Sequence, residues 1–204
     1  EVFHQRYRKP LFIGVALAAL SQFSGINAII YYGPSILEKA GFRLGEALGG
    51  QVTIGIVNTL FTLVAIFWIE KWGRRPLLMA GIGGAIFSLV ATAVLFALHV
   101  DNGWLILTPV ILFIACFAFS FGPVTWVIIS EIFPTSVRSS AVAISTMALW
   151  VANWLVGQFF PMMLNGTGPS ITFLVFAGFS AAAFYISWKM IPETKGKSLE
   201  SIHA

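Results

Sequence analysis

Six long apolar runs divide the sequence and constrain its fold more than any other feature. The runs cover about residues 11-33, 47-69, 76-98, 104-129, 139-163 and 169-191. Each is close to the roughly 20 apolar residues that a helix needs to cross the hydrocarbon core of a bilayer. The runs are too long for the strands of a membrane barrel, and irregular backbone cannot face lipid with unpaired polar groups. The pattern therefore predicts an all-α membrane protein with six transmembrane helices.

The residue composition agrees with a lipid environment. Hydrophobic residues make up 58% of the 204 residues and charged residues only 10%, whereas soluble domains carry about 25% charged residues. A soluble domain of this length could not cover so many apolar side chains, but lipid can. The sequence has no basic groove with interleaved aromatic residues, so nucleic acid binding is not predicted. Because Cys116 is the single cysteine, no disulfide and no cysteine-based metal site can form within one chain.

The basic residues predict how the spans are oriented. If the six runs alternate in direction, every Lys and Arg falls on one side of the membrane except Lys39 and Arg43. Cytoplasmic loops carry the excess of Lys and Arg. We therefore expect an integral protein of the plasma (inner) membrane with both termini and the loops at 70–75 and 131–138 in the cytoplasm. The first run lacks a small-residue cleavage site, so we interpret it as a span rather than a signal peptide.

Helix-breaking residues interrupt two spans at corresponding positions. Span one contains Ser24-Gly25 and span four contains Gly122-Pro123, and these spans correspond if the six form two groups of three. Transporters built from inverted repeats place their substrate near the membrane midplane, beside discontinuous helices of this kind. A simple kink, which is common in membrane helices, is the alternative interpretation.

Amide side chains lie at membrane depth in three of the spans. Gln22 and Asn27 are five residues apart in span one, Asn58 lies in span two and Asn153 in span five. Buried amides need hydrogen-bond partners, and one amide group can both donate to and accept from the hydroxyls of a sugar. Alternatively, these amides hydrogen-bond to neighbouring helices. Taken alone, Asn58 and Asn153 favour this second interpretation.

Two tryptophans, Trp126 and Trp150, lie well inside their spans, away from the interfacial belt where tryptophan normally collects. A tryptophan at this depth can offer a flat apolar surface to a pyranose ring and an indole N–H to a hydroxyl. Ordinary packing between helices is the alternative interpretation.

Charged residues collect at the cytoplasmic ends of the predicted spans. They are Glu70, Arg74, Arg75, Glu131, Arg138 and Glu193. These charges are explained either by topology and solvation or by a latch of ion pairs that forms in one conformation and opens in another. No Asp or Glu lies in the middle of a span, which argues against a self-contained proton or metal relay in these six helices.

Five sequence blocks follow one another along the chain, namely residues 22–27 with Tyr31 and Tyr32, residues 70–76, Gly122-Pro123 with Trp126, residues 130–134 with Arg138, and residues 192–196. These blocks resemble the sugar porters of the major facilitator superfamily, especially bacterial xylose/proton symporters and animal glucose facilitators. Their order and spacing hold across essentially the whole chain. The resemblance implies helices seven to twelve of a twelve-helix fold with 3+3 inverted repeats, the N-terminal half being absent.

The resemblance also implies roles for individual residues. Sugar contacts fall on Gln22, Asn27, Asn58, Trp126, Trp150 and on Ser21, which stands where many members have a glutamine. Tyr31 and Tyr32 fall on the outer gate of the mobile seventh helix, and Gly25, Gly122 and Pro123 on the points where spans one and four bend. The six charged residues at the span ends fall on a cytoplasmic network that clasps the two halves together.

From these features we expect transport of a monosaccharide, a hexose or a pentose, by alternating access and with proton coupling. Facilitated diffusion and a non-transporting sugar receptor are the alternatives, and a truncated reading frame without activity is a third. Nothing in the sequence resembles a nucleophile with its base, so we expect no enzyme, no cofactor and no metal. The expected partners are the monosaccharide, membrane lipid, and either the missing N-terminal six-helix half or a second copy of the chain.

Overall fold

The computed structural model describes residues 4–191, and these residues are almost entirely helical. The α-helices within this range are α1 (Arg8–Phe23), α2 (Ile26–Lys39), α3 (Leu44–Trp72), α4 (Arg74–Ala97), α5 (Gly103–Cys116), α6 (Gly122–Glu131), α7 (Thr135–Gly166) and α8 (Pro169–Met190). A single 3₁₀ turn, Gln5–Tyr7, precedes α1, and a π-helical segment, Phe117–Phe121, joins α5 to α6.

These elements form six spans within the described residues, each long and apolar enough to cross a membrane. Helices α1 and α2 make up the first span, and α5 and α6 make up the fourth. The remaining four helices each form one span. The helices run several residues beyond the apolar runs, so that the first span covers Gln5–Lys39 and the fifth Thr135–Gly166. A helix satisfies its own backbone hydrogen bonds and so continues into the polar interface after its apolar residues end.

The core of the bundle lies between two groups of helices. Helix α1 packs mainly against α7, while α4 packs against α8 and α5. Large aromatic side chains fill the space between them. The fully buried phenylalanines are Phe113, Phe121, Phe133, Phe160 and Phe173. A second, smaller cluster surrounds Leu37 and Ile106, at the end of the bundle where α2 ends and α5 begins.

Helix α3 is the least buried of the spans. In its most apolar stretch 11% of the residues are buried, against 61% in the first and fourth spans. It packs against α2, α5 and the π-helical segment along one side. Most apolar side chains of α3 therefore point away from this bundle.

Candidate functional site

The first span is broken at the predicted Ser24-Gly25 position. Helix α1 ends at Phe23, and Gly25 has φ +92° and ψ 12°, in the left-handed region that favours glycine. The ring of Phe176 on α8 lies against Gly25, and a Cβ placed there would be 2.3 Å from Phe176 Cδ2. Both the conformation and the packing therefore require glycine. The break separates Gln22, at the end of α1, from Asn27, at the start of α2.

Three amides and two hydroxyls form one hydrogen-bonded group around this break, which we call the amide cluster. Asn27 Nδ2 donates to Gln22 Oε1 at 2.7 Å and to Asn153 Oδ1 at 2.9 Å. Asn153 Nδ2 donates to the hydroxyl of Tyr31 at 3.5 Å, and Gln22 Nε2 donates to Ser21 Oγ at 3.2 Å. The cluster therefore joins both sides of the break to α7.

The cluster is buried on its α1 and α7 sides and open on its α2 side. Ser21, Gln22 and Asn153 are 3%, 6% and 8% exposed, whereas Asn27 is half-buried and Tyr31 is 54% exposed. Both side-chain N–H groups of Asn27 are used inside the protein. Within residues 4–191, no hydrogen-bond donor is recorded for Asn27 Oδ1 and no acceptor for the Tyr31 hydroxyl proton. The open side of the cluster thus carries one acceptor and one donor.

Asn153 is the member of the cluster that the sequence pattern did not assign to the site. Its isolated amide favoured a bond to a neighbouring helix, and it does make that bond, but its partner is the predicted site residue Asn27. One feature of the sequence could have assigned Asn153 to the site. It lies three residues after the predicted sugar-contact residue Trp150, and residues at this spacing lie on neighbouring parts of a helix surface.

The other predicted sugar-contact residues lie on separate helices. Asn58 on α3 is half-buried, Trp126 on α6 is 36% exposed and Trp150 on α7 is 60% exposed. Asn58 contributes its backbone carbonyl to a 2.8 Å hydrogen bond from Thr62 Oγ1. Among the described residues no hydrogen bond or ring contact is recorded between these three side chains and the amide cluster.

The two predicted gate tyrosines differ in their surroundings. Tyr32 leaves helical geometry, with φ −112° and ψ 15°, and so kinks α2. Its hydroxyl donates to the Gly157 carbonyl at 3.0 Å, and its ring centroid lies 5.2 Å from that of Phe160. Tyr31 points to the open side of the cluster. One tyrosine thus fastens α2 to α7, and its neighbour is available to a ligand.

A glutamine that the sequence pattern did not single out supports the same kink. Pro34 lacks the N–H that would bond the Ile30 carbonyl in a regular α-helix. Gln51 Nε2 on α3 donates to that carbonyl at 2.7 Å. The Gln51 amide lies against Gly33, where a Cβ would be 1.8 Å from Gln51 Oε1. A side chain of the neighbouring helix thus replaces the hydrogen bond that the proline removes.

Span four differs from the expected discontinuous helix at Gly122-Pro123. The chain stays helical, and residues Phe117–Phe121 widen into a π-helix just before Pro123. The N–H of Gly122 donates to the Phe117 carbonyl, five residues back. In an α-helix the ring of Pro123 would clash with the carbonyl four residues before it. The wider turn accommodates the proline, so span four changes its winding and does not break.

The charged residues at the predicted cytoplasmic end connect several helices. Arg74 donates through Nη2 and Nε to Glu131 Oε1, at 2.9 and 3.1 Å. Arg75 Nη2 donates to the Trp188 carbonyl at 2.7 Å. These contacts join the start of α4 to the ends of α6 and α8. The pair is partly exposed, so its contribution to stability is at most about 1 kcal/mol.

The predicted charge network also includes Arg138, Glu70 and Glu193. Arg138 Nε and Nη2 both donate to the Phe133 carbonyl at 3.3 Å, which ties the start of α7 to the loop before it. Glu70 is exposed near the end of α3. Glu193 lies outside the described residues.

Comparison with known proteins places the whole chain in one family. Residues 1–204 match the family model described as sugar (and other) transporter. The chain is 38% identical to the arabinose-proton symporter of Bacillus subtilis over 202 residues, which cover 99% of this chain and 44% of that protein. It is 35% identical to the D-xylose-proton symporter of Escherichia coli over 198 residues, covering 94% and 40%. The chain therefore spans less than half the length of these relatives.

Solved structures of XylE have the same fold over the matched part. A double tryptophan mutant of XylE matches with a TM-score of 0.87 and 34% identity, over 96% of this chain and 42% of that one. XylE bound to 6-bromo-6-deoxy-D-glucose, described as a major facilitator superfamily proton:xylose symporter, gives a TM-score of 0.84 at 34% identity, over 94% and 42%. The predicted six-helix membrane fold is confirmed, and the chain belongs to the sugar transporter family, a family of transporters and not of enzymes.

Proposed function

We propose that this chain forms one six-helix half of a transporter that moves a monosaccharide, a hexose or a pentose, across the plasma membrane by alternating access. The observation that supports this function most directly is the amide cluster at the break in span one. It collects polar groups inside an apolar span, and part of their hydrogen-bonding capacity is left open. Polar groups at membrane depth are costly and mark substrate pathways.

The open groups of the cluster suit a hydroxyl ligand. Asn27 Oδ1 can accept a hydrogen bond, the Tyr31 hydroxyl can donate one, and a sugar hydroxyl can do both. Trp126 and Trp150 each keep an exposed surface that can pack on the apolar face of a sugar ring. Asn58 would add a fourth amide, from α3. Ser21 and Gln22, which are both buried, would form the base of the site and hold Asn27 from the α1 side.

Alternating access requires parts of the bundle that bend and contacts that open. Gly25 and the kink at Tyr32 divide the first span, so its α2 end can tilt around a bound sugar. On the other side of the bundle, the Arg74–Glu131 pair would act as a latch with Glu70, Arg75, Arg138 and Glu193. A transport pathway has two walls, so we expect an N-terminal six-helix half, or else a second copy of the chain, opposite this one.

We further propose that transport is coupled to protons. The named relatives include an arabinose-proton and a D-xylose-proton symporter. This chain has no Asp or Glu in the middle of a span, so the carboxylate that carries the proton would come from the opposite half. The same observation makes facilitated diffusion the second candidate, because no residue of this half requires a proton to complete the cycle.

Uptake into proteoliposomes tests both proposals. Labelled arabinose, xylose and glucose would be compared for the chain alone and for the chain joined to an N-terminal six-helix half, with and without a pH gradient. We expect the joined protein to accumulate one of the sugars only when the gradient is present. Uptake that equilibrates regardless of the gradient would indicate facilitated diffusion. Binding without any uptake would indicate a sugar receptor, and transport by the chain alone would indicate pairing of two copies.

The site itself is tested by Asn27→Ala in the joined protein. Removing a hydrogen-bonding amide should weaken binding of the transported sugar by about 1–3 kcal/mol, measured by isothermal titration calorimetry. Asn165→Ala is the matched control, because Asn165 is exposed in α7 close to its C-terminal end, and it should leave the affinity unchanged. Equal affinities for the two variants would remove the amide cluster from the binding site.

A further inference from the structure

We infer that Asn153 is a positioning residue of the amide cluster, which holds the Asn27 amide and the Tyr31 hydroxyl in one hydrogen-bonding direction. This inference rests on the proposed function, because it assigns a role at the same site. Asn153 lies on α7, whereas Asn27 and Tyr31 lie on α2, one helical turn apart. A single side chain thus contacts both residues that present open polar groups to a ligand.

The direction of the Asn27 amide follows from its two acceptors. Its nitrogen lies 2.7 Å from Gln22 Oε1 and 2.9 Å from Asn153 Oδ1, so both N–H groups point into the protein. If the amide rotated by half a turn, Asn27 Oδ1 would face two other oxygens without a proton between them. The rotation is therefore unfavourable, and Asn27 Oδ1 remains directed to the open side as an acceptor.

The direction of the Tyr31 hydroxyl follows from the other end of the same side chain. Asn153 Nδ2 donates to the Tyr31 oxygen at 3.5 Å, at the long limit of a hydrogen bond. Since that oxygen accepts from Asn153, its own proton points elsewhere, and the side chain is 54% exposed. Tyr31 is thereby presented to a ligand as a donor. A longer bond is also one that can shorten or break as α2 moves.

Asn153 acts through these neighbours because little of it can reach a ligand. It is 8% exposed, and α7 packs along α1 as one of the closest helix pairs of the bundle. Its Oδ1 and one N–H are already bonded to α2. Asn153 is therefore held beside α1, while Asn27 and Tyr31 on α2 carry the open polar groups. Removal of Asn153 should leave the contact residues in place but free their amide and hydroxyl to rotate.

A double-mutant cycle in the joined protein tests this role. Asn153→Leu removes both hydrogen bonds with little change in volume, and we expect it to weaken binding of the transported sugar about tenfold. In an Asn27→Ala background, the same Asn153→Leu change should weaken binding by only about twofold to threefold, because Asn27 is gone and only the long bond to Tyr31 is left to lose. If Asn153 has only a structural role, Asn153→Leu should lower the affinity by the same factor in both backgrounds and should also lower the melting temperature.

Ser145→Ala is the matched control. Ser145 lies on the same helix, is fully buried, and its hydroxyl has no recorded partner among the described residues. It should leave both affinity and melting temperature close to those of the unmodified protein. If Asn153→Leu fails to fold, Asn153→Ser serves in its place, because the shorter polar side chain keeps a hydroxyl at the site but cannot span to both neighbours.

The two ways in which this inference can fail are distinguishable. If the unmodified joined protein binds none of arabinose, xylose and glucose, the proposed function fails, and the positioning role fails with it. If the unmodified protein binds a sugar but the losses from Asn153→Leu and Asn27→Ala add, only the positioning role is refuted. Coupling between the two substitutions, with Ser145→Ala neutral, supports it.

Discussion

At the scale of single residues, the break in span one depends on Gly25. A side chain at this position would be strained, because a left-handed conformation costs an L-residue about 1–2 kcal/mol and its Cβ would overlap the Phe176 ring. We expect Gly25→Ala to lower the free energy of unfolding by about 2–5 kcal/mol in total, since overpacking of a core adds about 1–3 kcal/mol. Denaturant unfolding in detergent, followed by tryptophan fluorescence, measures this loss.

The matched control for this substitution is Gly55→Ala. Gly55 lies in the regular helix α3, and a Cβ there would meet no atom within 4 Å. Alanine is favoured over glycine in a helix interior by about 1 kcal/mol, so the control should be neutral or stabilising. Equal stabilities of the two variants would show that the Phe176 contact and the left-handed backbone do not hold the break together.

The sequence could predict site residues that lie close together along the chain, but not those that come together only in the fold. Gln22 and Asn27 could be paired because they are five residues apart and lie on either side of Gly25. Asn153 lies 126 residues from Asn27, and its place in the site depends on α7 packing against α1. The helical pattern predicts that helices pack but not which ones meet, so the third amide could be assigned only from the fold.

At the scale of elements, the kinked helix α2 depends on a hydrogen bond from α3. Replacing Gln51 by leucine, which has a similar volume, would leave the Ile30 carbonyl without its donor inside an apolar bundle. An unsatisfied buried acceptor costs about 1–3 kcal/mol. The change also removes Gln51 Oε1, a buried oxygen without a hydrogen-bond partner among the described residues. We therefore expect Gln51→Leu to lower the free energy of unfolding by about 1 kcal/mol, the low end of this range, measured as for Gly25→Ala.

Pro34→Ala provides the internal control, because it restores an N–H at the position that bonds the Ile30 carbonyl in a regular helix. In that background Gln51→Leu should cost much less than in the unmodified protein. Additive losses would mean that Gln51 stabilises α2 by packing alone.

Span four shows why the form of an interruption is harder to predict than its position. The Gly122-Pro123 pair predicts an irregularity in span four, and the π-helical segment Phe117–Phe121 directly precedes this pair. The sequence could not indicate whether the chain would break or widen. Hydrogen bonds across the π-helical segment, such as that from Gly122 to Phe117, keep the backbone satisfied. The segment also turns Phe119 towards Trp68 and Trp72 of α3, at ring-centroid distances of 6.2 and 6.4 Å. These contacts stabilise the widened helix, and they involve α3, which is distant from this segment in sequence.

At the scale of the whole molecule, the contacts divide the bundle into two chemically different ends. At one end, Arg74 meets Glu131 and Arg75 meets the Trp188 carbonyl, so the starts and ends of α4, α6 and α8 converge. At the other end, a cavity of about 320 Å³ is lined by Lys39, Asp101 and Pro169, among others, where the connections between spans carry few basic residues. Arg74 and Arg75 thus lie at one end of the described bundle and Lys39 lies at the other, which is the arrangement expected if the spans alternate in direction.

This asymmetry predicts the orientation, which can be measured on the two ends of one helix. In a Cys116→Ser background, Ser136→Cys places a thiol near the start of α7 and Thr167→Cys places one just beyond its end, both at exposed positions. Helix α7 has 32 residues and is thus about 48 Å long at 1.5 Å per residue, so the two thiols lie on opposite sides of a bilayer. Because basic loops stay in the cytoplasm, a membrane-impermeant maleimide should label Thr167→Cys in intact cells and Ser136→Cys only after permeabilisation. The reverse pattern would place the Arg74–Glu131 pair outside the cell, where it could not act as a cytoplasmic latch.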